Sequence, residues 1–221
     1  KFNNSFSIPN NVFGEFEVEF IANDTSGNIN DSERTNFTVL DNIVPSVVIN
    51  EPPVNSIFNT SNTIVINATV TDNIEIDSVI ARVDLPNGTQ ENITLVLSGN
   101  GIFNSTFLIP ELIGVYNVTI FANDSSSNVN NSEKTNFTVL DVEVPVWFEE
   151  IPSNGSSFNV SDLIELGVNV TDNIEIDSVI ARVDLPNGTQ INVTLSRFNS
   201  TNKFNNSFSI PNNVFGEFEV E

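Results

Sequence analysis

Apolar and polar residues alternate along short segments of the chain, and turn-forming residues separate these segments. In one such segment Ile64, Ile66, Ala68 and Val70 would share one face of a strand, with polar residues on the other face. No segment has the period of an amphipathic helix, so the pattern predicts an all-β fold. Between residues 42 and 141 it predicts seven strands: Ser46–Asn50, Thr63–Thr71, Asp77–Leu85, Asn92–Leu97, Ile102–Ile109, Gly114–Asn123 and Lys134–Leu140.

The sequence repeats at two periods. Residues 1–19 are identical to residues 203–221, an offset of 202, and residues 71–90 are identical to residues 171–190, an offset of 100. Similarity at a fixed period is the signature of a repeat architecture. We therefore expect two unlike units of about 100 residues to alternate along the chain.

The joints between units are predicted where Thr-Val-Leu-Asp is followed by a short segment and a proline. This sequence ends at Asp41 and again at Asp141. Because half a sandwich exposes strand edges, we expect the chain to be one section of a longer periodic polymer. The predicted domains are the C-terminal part of one domain at 1–41, a complete domain at 42–141, and the N-terminal part of another at 142–221.

Three motifs accompany the predicted strands: Val-Thr-Asp-Asn at 70–73, Gly-Val-Tyr-Asn-Val-Thr at 114–119 and Ala-Asn-Asp-Thr-Ser-Gly-Asn at 22–28. They resemble the immunoglobulin-like repeats of bacterial and archaeal surface proteins and adhesins. The resemblance implies all-β, tandem immunoglobulin-like antiparallel β-sandwich domains of about 100 residues in a head-to-tail array. It also implies a spacer, stalk, filament or shell role. Phe16 and Phe218 replace a common tyrosine of the family, so no hydroxyl-bonded corner is expected in that unit.

The composition excludes several classes of function. The chain has 29 acidic and 7 basic residues, a net charge of −22, which disfavours nucleic acid and anionic membranes as partners. Histidine, cysteine and methionine are absent, which removes catalytic triads, thiolate or imidazole metal sites and disulfides. No apolar run approaches the roughly 20 residues that span a bilayer. The same acidic loop recurs in both units without a pocket-forming insertion, so we expect no glycosidase and no other enzyme.

Asn-x-Ser/Thr acceptor sequences (sequons) are the main chemical feature. Random placement of the asparagine, serine and threonine residues predicts about 6 to 7 of them, whereas the chain has 20. Codon bias and copying between units are the alternative explanation, but an outward strand position, as at Asn67, Asn92, Asn104, Asn117 and Asn136, suits a bulky glycan. We therefore predict N-linked glycans on an exported protein. The candidate acceptors are Asn3, Asn23, Asn30, Asn36, Asn59, Asn67, Asn87, Asn92, Asn104, Asn117, Asn123, Asn130, Asn136, Asn154, Asn159, Asn169, Asn187, Asn192, Asn199 and Asn205.

Carboxylates collect in loops that are predicted to meet at one end of each sandwich, beside the incoming linker. A Ca²⁺ ion takes six to eight oxygen ligands, so one interpretation is a calcium site that stiffens the joint. The other is that these are ordinary acidic turn residues, because their spacing lacks the order of a helix–loop–helix calcium site. The candidate ligands are Asp41, Asp72, Glu75, Asp77 and Asp124 in one unit and Asp141, Glu143, Asp172, Glu175 and Asp177 in the next.

The most distinctive difference between the units is Trp147-Phe148, which stands where the other unit has Val47-Val48. We interpret these aromatic residues as a core or joint-packing pair, with a contact to a neighbouring chain as the alternative.

The function expected from these features is a structural component of an extracellular, N-glycosylated repeat filament, stalk or surface-layer element, with an archaeal cell surface favoured. Its partner would be itself, head to tail, with other surface proteins or cells as further partners. The alternative is an adhesin whose repeats bind or present a carbohydrate or cell-surface ligand. Strands of about ten residues give roughly 35–45 Å per domain and roughly 70–90 Å per two-domain period.

Continuity along such a filament would be covalent or would come from strands donated between subunits. The identical 19-residue segments favour covalent continuity, because a donor strand and its duplicate would compete for one site.

Overall fold

A computed structural model describes residues 2–9 and 11–220, so the outer limits of the predicted domains, residues 1 and 221, lie outside the described residues. No helix occurs among the described residues, and hence none that is long and apolar enough to cross a membrane. The predicted all-β fold is confirmed. The strands are β1 Gly14–Asn23, β2 Ile29–Val39, β3 Ser46–Glu51, β4 Ser56–Asn59, β5 Thr63–Thr71, β6 Ile76–Asp84, β7 Gln90–Thr94, β8 Val96–Gly99, β9 Ile102–Leu108, β10 Gly114–Asp124, β11 Val129–Asn130, β12 Lys134–Leu140, β13 Val146–Ile151, β14 Leu163–Thr171, β15 Val179–Asp184, β16 Gln190–Arg197, β17 Lys203–Ser209 and β18 Glu219–Val220.

The chain divides into two compact units, one up to Leu140 and one from Asp141. The first contains the β1–β2 hairpin and two further sheets, with strand orders β4-β12-β10-β6-β7 and β3-β5-β9-β8. One core fills the space between these two sheets. We call residues 46–140 the complete sandwich. The second unit, residues 141–220, has the strand order β13-β14-β17-β16-β15-β18.

Six of the seven predicted strands match the observed strands within one residue at each end. The prediction of a single strand over Asn92–Leu97 is wrong, because β7 pairs with β6 in one sheet and β8 pairs with β9 in the other. Leu95, at the change of sheet, is buried, and its N–H donates to the carbonyl of Val79 at 2.9 Å. The sequence pattern also missed β4, which runs parallel to β12 at the sheet edge. A four-residue edge strand carries too little alternation to be recognised.

The core of the complete sandwich is built from the inward residues of the alternating pattern. Ile66 on one sheet and Ile120 on the other are both 0% exposed. The ring of Tyr116 stacks on Phe137 with centroids 4.9 Å apart, and its hydroxyl donates to the carbonyl of Leu112 at 2.8 Å. This hydroxyl-bonded corner is a feature of immunoglobulin-like sandwiches. The equivalent positions in the other repeat carry phenylalanine and have no hydroxyl to donate.

The second unit has its own small core, formed mainly by Leu166, Val170, Ala181, Val183 and Phe204. Its strand β16 is continuous and pairs with both β15 and β17. Trp147 and Phe148 on β13 are 62% and 43% exposed, so the interpretation of this pair as buried core does not hold within the described part of the unit.

Candidate functional site

All twenty sequon asparagines lie outside the two cores. None of them is buried; twelve are exposed and eight are partly exposed. On strands this follows from the alternation of side chains between the two faces. Asn67, for example, lies between the buried residues Ile66 and Ala68 on β5 and therefore faces outward. The acceptor surface thus covers the outside of the strands as well as the turns.

Four sequon asparagines form two directly opposed pairs. Asn67 on β5 is opposite Asn104 on β9, and Asn117 on β10 is opposite Asn136 on β12. The two pairs belong to different sheets of the complete sandwich. Directly opposed residues of an antiparallel sheet have Cβ atoms about 4.5–5.5 Å apart. A glycan on one asparagine of a pair would therefore cover the other.

Two sequons use their own hydroxyl residue to fix the asparagine, one in the turn at Asn87 and one at Asn130, the end of β11. The backbone N–H and the hydroxyl of Thr89 donate to Oδ1 of Asn87 at 3.0 and 2.7 Å, and Ser132 makes the same two bonds to Asn130 at 2.9 and 2.8 Å. At both positions the amide oxygen is occupied. Asn130 differs in that its Nδ2 donates to the carbonyl of Pro45 at 2.7 Å. The nitrogen that would carry a glycan there already holds the loop against the linker.

Three carboxylates converge at the entrance of the complete sandwich. Asp41 lies in the linker after β2, Asp72 follows β5, and Asp124 ends β10. One oxygen from each lies within 4.8 Å of the others, the one such group of three or more potential ligand side chains in the described part of the chain. Asp124 is 1% exposed, and the other two are partly exposed. We call this group the carboxylate cluster.

Two asparagine amides link the carboxylates of the cluster. Nδ2 of Asn128 donates to Oδ2 of Asp41 at 2.9 Å and to Oδ2 of Asp124 at 2.8 Å, and Nδ2 of Asn73 donates to Oδ1 of Asp41 at 2.9 Å. The backbone N–H groups of Ser126 and Asn128 donate to Oδ1 of Asp124. Burial raises the pKa of Asp124, but these hydrogen bonds outweigh it and hold the pKa below its ordinary value.

The cluster has the oxygen ligands that Ca²⁺ prefers, but it also has donors among them. The NH₂ groups of Asn73 and Asn128 point at the carboxylate oxygens that would bind an ion. A cation there would have to displace these amides. The arrangement fits a hydrogen-bonded joint, and it fits a calcium site only after rearrangement, so calcium binding stays a prediction.

Two of the predicted ligands lie beside the cluster rather than in it. The backbone carbonyl of Glu75 accepts the N–H of Ser125 at 2.9 Å. The carboxylate of Asp77 accepts a hydrogen bond from Nδ2 of Asn123 at 3.2 Å.

The second unit has part of the same arrangement. Oδ1 of Asp141 accepts Nδ2 of Asn173 at 3.3 Å and the N–H of Glu143 at 3.1 Å, and Asp172 accepts the N–H of Ile174 at 3.0 Å. The remaining predicted ligands of this unit are exposed: Glu143, Glu175 and Asp177.

Sequence reasoning did not identify Asn128 as a member of the cluster. The signal was present, because the Asp-x-x-x-Asn spacing of Asp124 and Asn128 recurs at Asp24 and Asn28. In both copies the asparagine Nδ2 donates to the aspartate, at 2.8 and 2.6 Å.

No family model matches the chain, and no curated protein matches it. Among solved structures, the chain is similar to a tetra-tandem repeat in the extending region of a large adhesion protein, at 18% identity and a TM-score of 0.42, over 91% of this chain and 50% of that one. It is also similar to fibronectin(III)-like modules of Clostridium thermocellum CbhA, at 15% identity and a TM-score of 0.34, over 44% of this chain and 100% of that one. The chain therefore spans half the length of the adhesion-protein structure.

A third similar structure is the SrpA adhesin of Streptococcus sanguinis, at 10% identity and a TM-score of 0.33, over 70% of this chain and 94% of that one. These sequence identities and TM-scores are too low to assign the chain to a family. The two sheets and the single core of the complete sandwich define the class, which is an immunoglobulin-like β-sandwich, and the repeats in the sequence make the domains tandem.

Proposed function

We propose that the chain is a structural component of an extracellular, N-glycosylated filament, stalk or surface-layer element in which sandwich domains repeat head to tail. The observation that carries this proposal is that all twenty sequon asparagines lie outside the cores of a chain that repeats itself. Repeated modules extend a structure along one direction, each contacting its neighbours. A glycan can be attached to every module without disturbing its core.

Exposed apolar side chains on the outer faces of the strands give the glycans a physical role. Val65 and Leu108 are 47% and 65% exposed on the same sheet as the Asn67–Asn104 pair, and Val115 is 52% exposed on the same strand as Asn117. Exposed apolar side chains on strands favour association with other chains. Glycans on the neighbouring asparagines would shield these side chains.

The linker of the complete sandwich is fixed at two points, which supports a load-bearing role. Asp41 is bound by the amides of Asn73 and Asn128, and the carbonyl of Pro45 accepts the amide of Asn130. Unlike a flexible linker, a segment held in this way transmits force without first being extended.

Imaging and glycopeptide mass spectrometry of the native assembly test the proposal. We expect a filament or layer with an axial period of roughly 70–90 Å. We also expect glycans at several sequons, with one asparagine of each opposed pair modified on a given chain. Globular particles, or unmodified peptides at every sequon, would contradict the proposal. Saturable binding of the chain in a glycan-binding screen would favour the adhesin alternative instead.

A further inference from the structure

The nine sequon asparagines of the complete sandwich differ in whether the side-chain nitrogen, Nδ2, donates a hydrogen bond. Nδ2 donates within the chain at three of them: Asn104, Asn123 and Asn130. At the other six it donates none in the part of the chain that the structure describes: Asn59, Asn67, Asn87, Asn92, Asn117 and Asn136. Because Nδ2 is the atom that carries an N-linked glycan, the two groups offer a transferase different acceptors.

Asn87 and Asn130 form one matched pair. Oδ1 of each accepts the backbone N–H and the hydroxyl of the last residue of its own sequon, so the two carboxamides are held in the same way. Asn87 is exposed, and its Nδ2 has no acceptor among the described residues. Nδ2 of Asn130 instead lies 2.7 Å from the carbonyl oxygen of Pro45, a buried residue. The two sequons therefore differ at the nitrogen rather than at the oxygen.

Glycan transfer requires that Nδ2 be open to a sugar ring. Nδ2 attacks C1 of an activated sugar, a glycosyl phosphate, and the Nδ2–C1 bond forms. The C1–O bond to the phosphate breaks and its electron pair leaves with the phosphate, while one proton of Nδ2 passes to a base of the transferase. At Asn130 the carbonyl of Pro45 occupies the space in front of the nitrogen, so transfer there requires the linker to detach first.

Asn67 and Asn104 form a second matched pair, on opposite strands of one sheet. Oδ1 of Asn67 accepts Nδ2 of Asn50 at 2.9 Å, and its own Nδ2 has no acceptor in the described part of the chain. Nδ2 of Asn104 donates to Oγ of Ser98 at 3.2 Å, and that hydroxyl donates to the carbonyl of Ile102 at 3.1 Å. Since a glycan on one asparagine of the pair covers the other, the difference at the nitrogen decides which of them is modified.

We propose that the hydrogen bonds of Nδ2 select the glycan acceptors of the complete sandwich. Within the opposed pair Asn67 is modified and Asn104 is not. Asn87 is likewise modified, whereas Asn130 stays unmodified and acts as a latch that fixes the linker at Pro45. The inference rests on the proposed glycosylated surface and says which sequons carry it.

Site-by-site glycopeptide mass spectrometry of the native assembly tests the selection. A hydrogen bond that must break before transfer lowers the population of open acceptor by about fivefold. We therefore expect Asn87 to be modified about fivefold or more as often as Asn130, and Asn67 to exceed Asn104 by a similar factor. Equal occupancy within either of these pairs would overturn the proposal.

The opposed pair Asn117–Asn136 is an internal control. Neither Nδ2 donates a hydrogen bond among the described residues, so the selection does not act within this pair. Both singly modified forms should therefore occur here, whereas one form should dominate for Asn67–Asn104. The same distribution of forms in both pairs would contradict a selection by Nδ2.

Removing the acceptor of Asn104 should change the choice within its pair. The Ser98→Ala chain, expressed in the cells that make the native protein, loses the hydroxyl that binds Nδ2 of Asn104 and keeps every sequon. We expect the share of chains modified at Asn104 to rise about fivefold. Ser98→Thr keeps a hydroxyl and should leave this share unchanged. An unchanged share in the Ser98→Ala chain would overturn the proposal.

The latch is tested without glycans, on the full 221-residue chain made in cells that lack a transferase. Asn130→Asp keeps the acceptor oxygen but removes the donor to Pro45, so the NMR order parameters of residues 42–44 should fall. Asn87→Asp also keeps its acceptor oxygen but breaks no bond from Nδ2, and it should leave the linker unchanged. Unchanged order parameters in a folded Asn130→Asp chain would overturn the latch.

The outcomes separate this inference from the proposed function. Glycans at Asn130 as often as at Asn87 would overturn the selection and leave the glycosylated surface in place. Unmodified peptides at every sequon would overturn the proposed function together with the selection, whereas the NMR measurement would still decide the latch. The occupancy measurement uses the native protein, so it decides the selection even if a variant does not fold.

Discussion

Residues 71–90 and 171–190 have one sequence but two structures. In the complete sandwich this sequence forms β6 from Ile76, and in the second unit it forms β15 from Val179. Ile180 is 54% exposed, whereas Ile80 is partly buried. Strand β6 is paired with β10 from Ile76 to Asp84 and with β7 from Ile80 to Asp84, while β15 is paired with β16 on one side and with a two-residue strand on the other. The paired neighbour, rather than local propensity, therefore sets the length of the strand.

The two hairpins show the opposite, because they keep the same local structure in different surroundings. The β1–β2 hairpin and its counterpart have the same register, although only the second is packed in a core. Their turns form the same hydrogen bonds to Asp24 and Asp124. Local sequence is thus enough to define the hairpin, and packing decides which of its residues are buried.

The largest expected difference between the two hairpins is the cost in unfolding free energy of removing the equivalent rings of Phe137 and Phe37. Phe137→Ala removes a fully buried ring that packs against Tyr116 and should lower the free energy of unfolding by about 3–5 kcal/mol. Phe37→Ala removes a partly exposed ring and should cost less than about 1 kcal/mol. Urea denaturation of the two variants measures the difference. Equal costs would mean that the β1–β2 hairpin is already packed in a core.

A smaller difference is expected from the equivalent aspartates. Asp124→Asn removes a buried charge that accepts three hydrogen bonds near the linker and should cost about 1.5–3 kcal/mol. Asp24→Asn changes an exposed turn and should leave the sandwich unaffected. Urea midpoints at neutral pH compare the two. A larger drop in urea midpoint for Asp24→Asn than for Asp124→Asn would contradict the burial of Asp124 in the complete sandwich.

The same aspartate predicts the direction of the pH dependence. The pKa of Asp124 is lower in the folded chain than the unfolded value of about 3.9, so its contribution is fully present above that value and is lost as the pH falls through the folded pKa. Acid should therefore lower the free energy of unfolding of the complete sandwich. The Asp124→Asn variant should show a smaller change of this free energy with pH, measured by urea denaturation at several pH values.

The smallest effect is expected at the tyrosine corner. Tyr116→Phe removes the hydrogen bond to the carbonyl of Leu112 and should cost about 0.5–1.5 kcal/mol. The matched change Phe16→Tyr adds a hydroxyl to the hairpin and should not change the urea midpoint. A stabilised Phe16→Tyr chain would show that the hairpin already has a partner for this hydroxyl.

The sequence predicted the strands and the outward asparagines because both follow from a period of two. Alternation placed Ile66 inward and Asn67 outward, as observed. It could not predict that the chain changes sheet at Leu95, since the pattern on either side is the same whichever sheet the strand joins. Nor could it select Asp41, Asp72 and Asp124 from ten candidate carboxylates, because their convergence depends on loop conformation and on the amide of Asn128.

Glycopeptide mass spectrometry of the native assembly tests the central claim most directly, that this repeating chain is glycosylated on the outer faces of its sandwich domains. We predict N-linked glycans at several of the twenty sequons, with one asparagine of each opposed pair, Asn67–Asn104 and Asn117–Asn136, modified on a given chain. Unmodified peptides at every sequon would contradict the account.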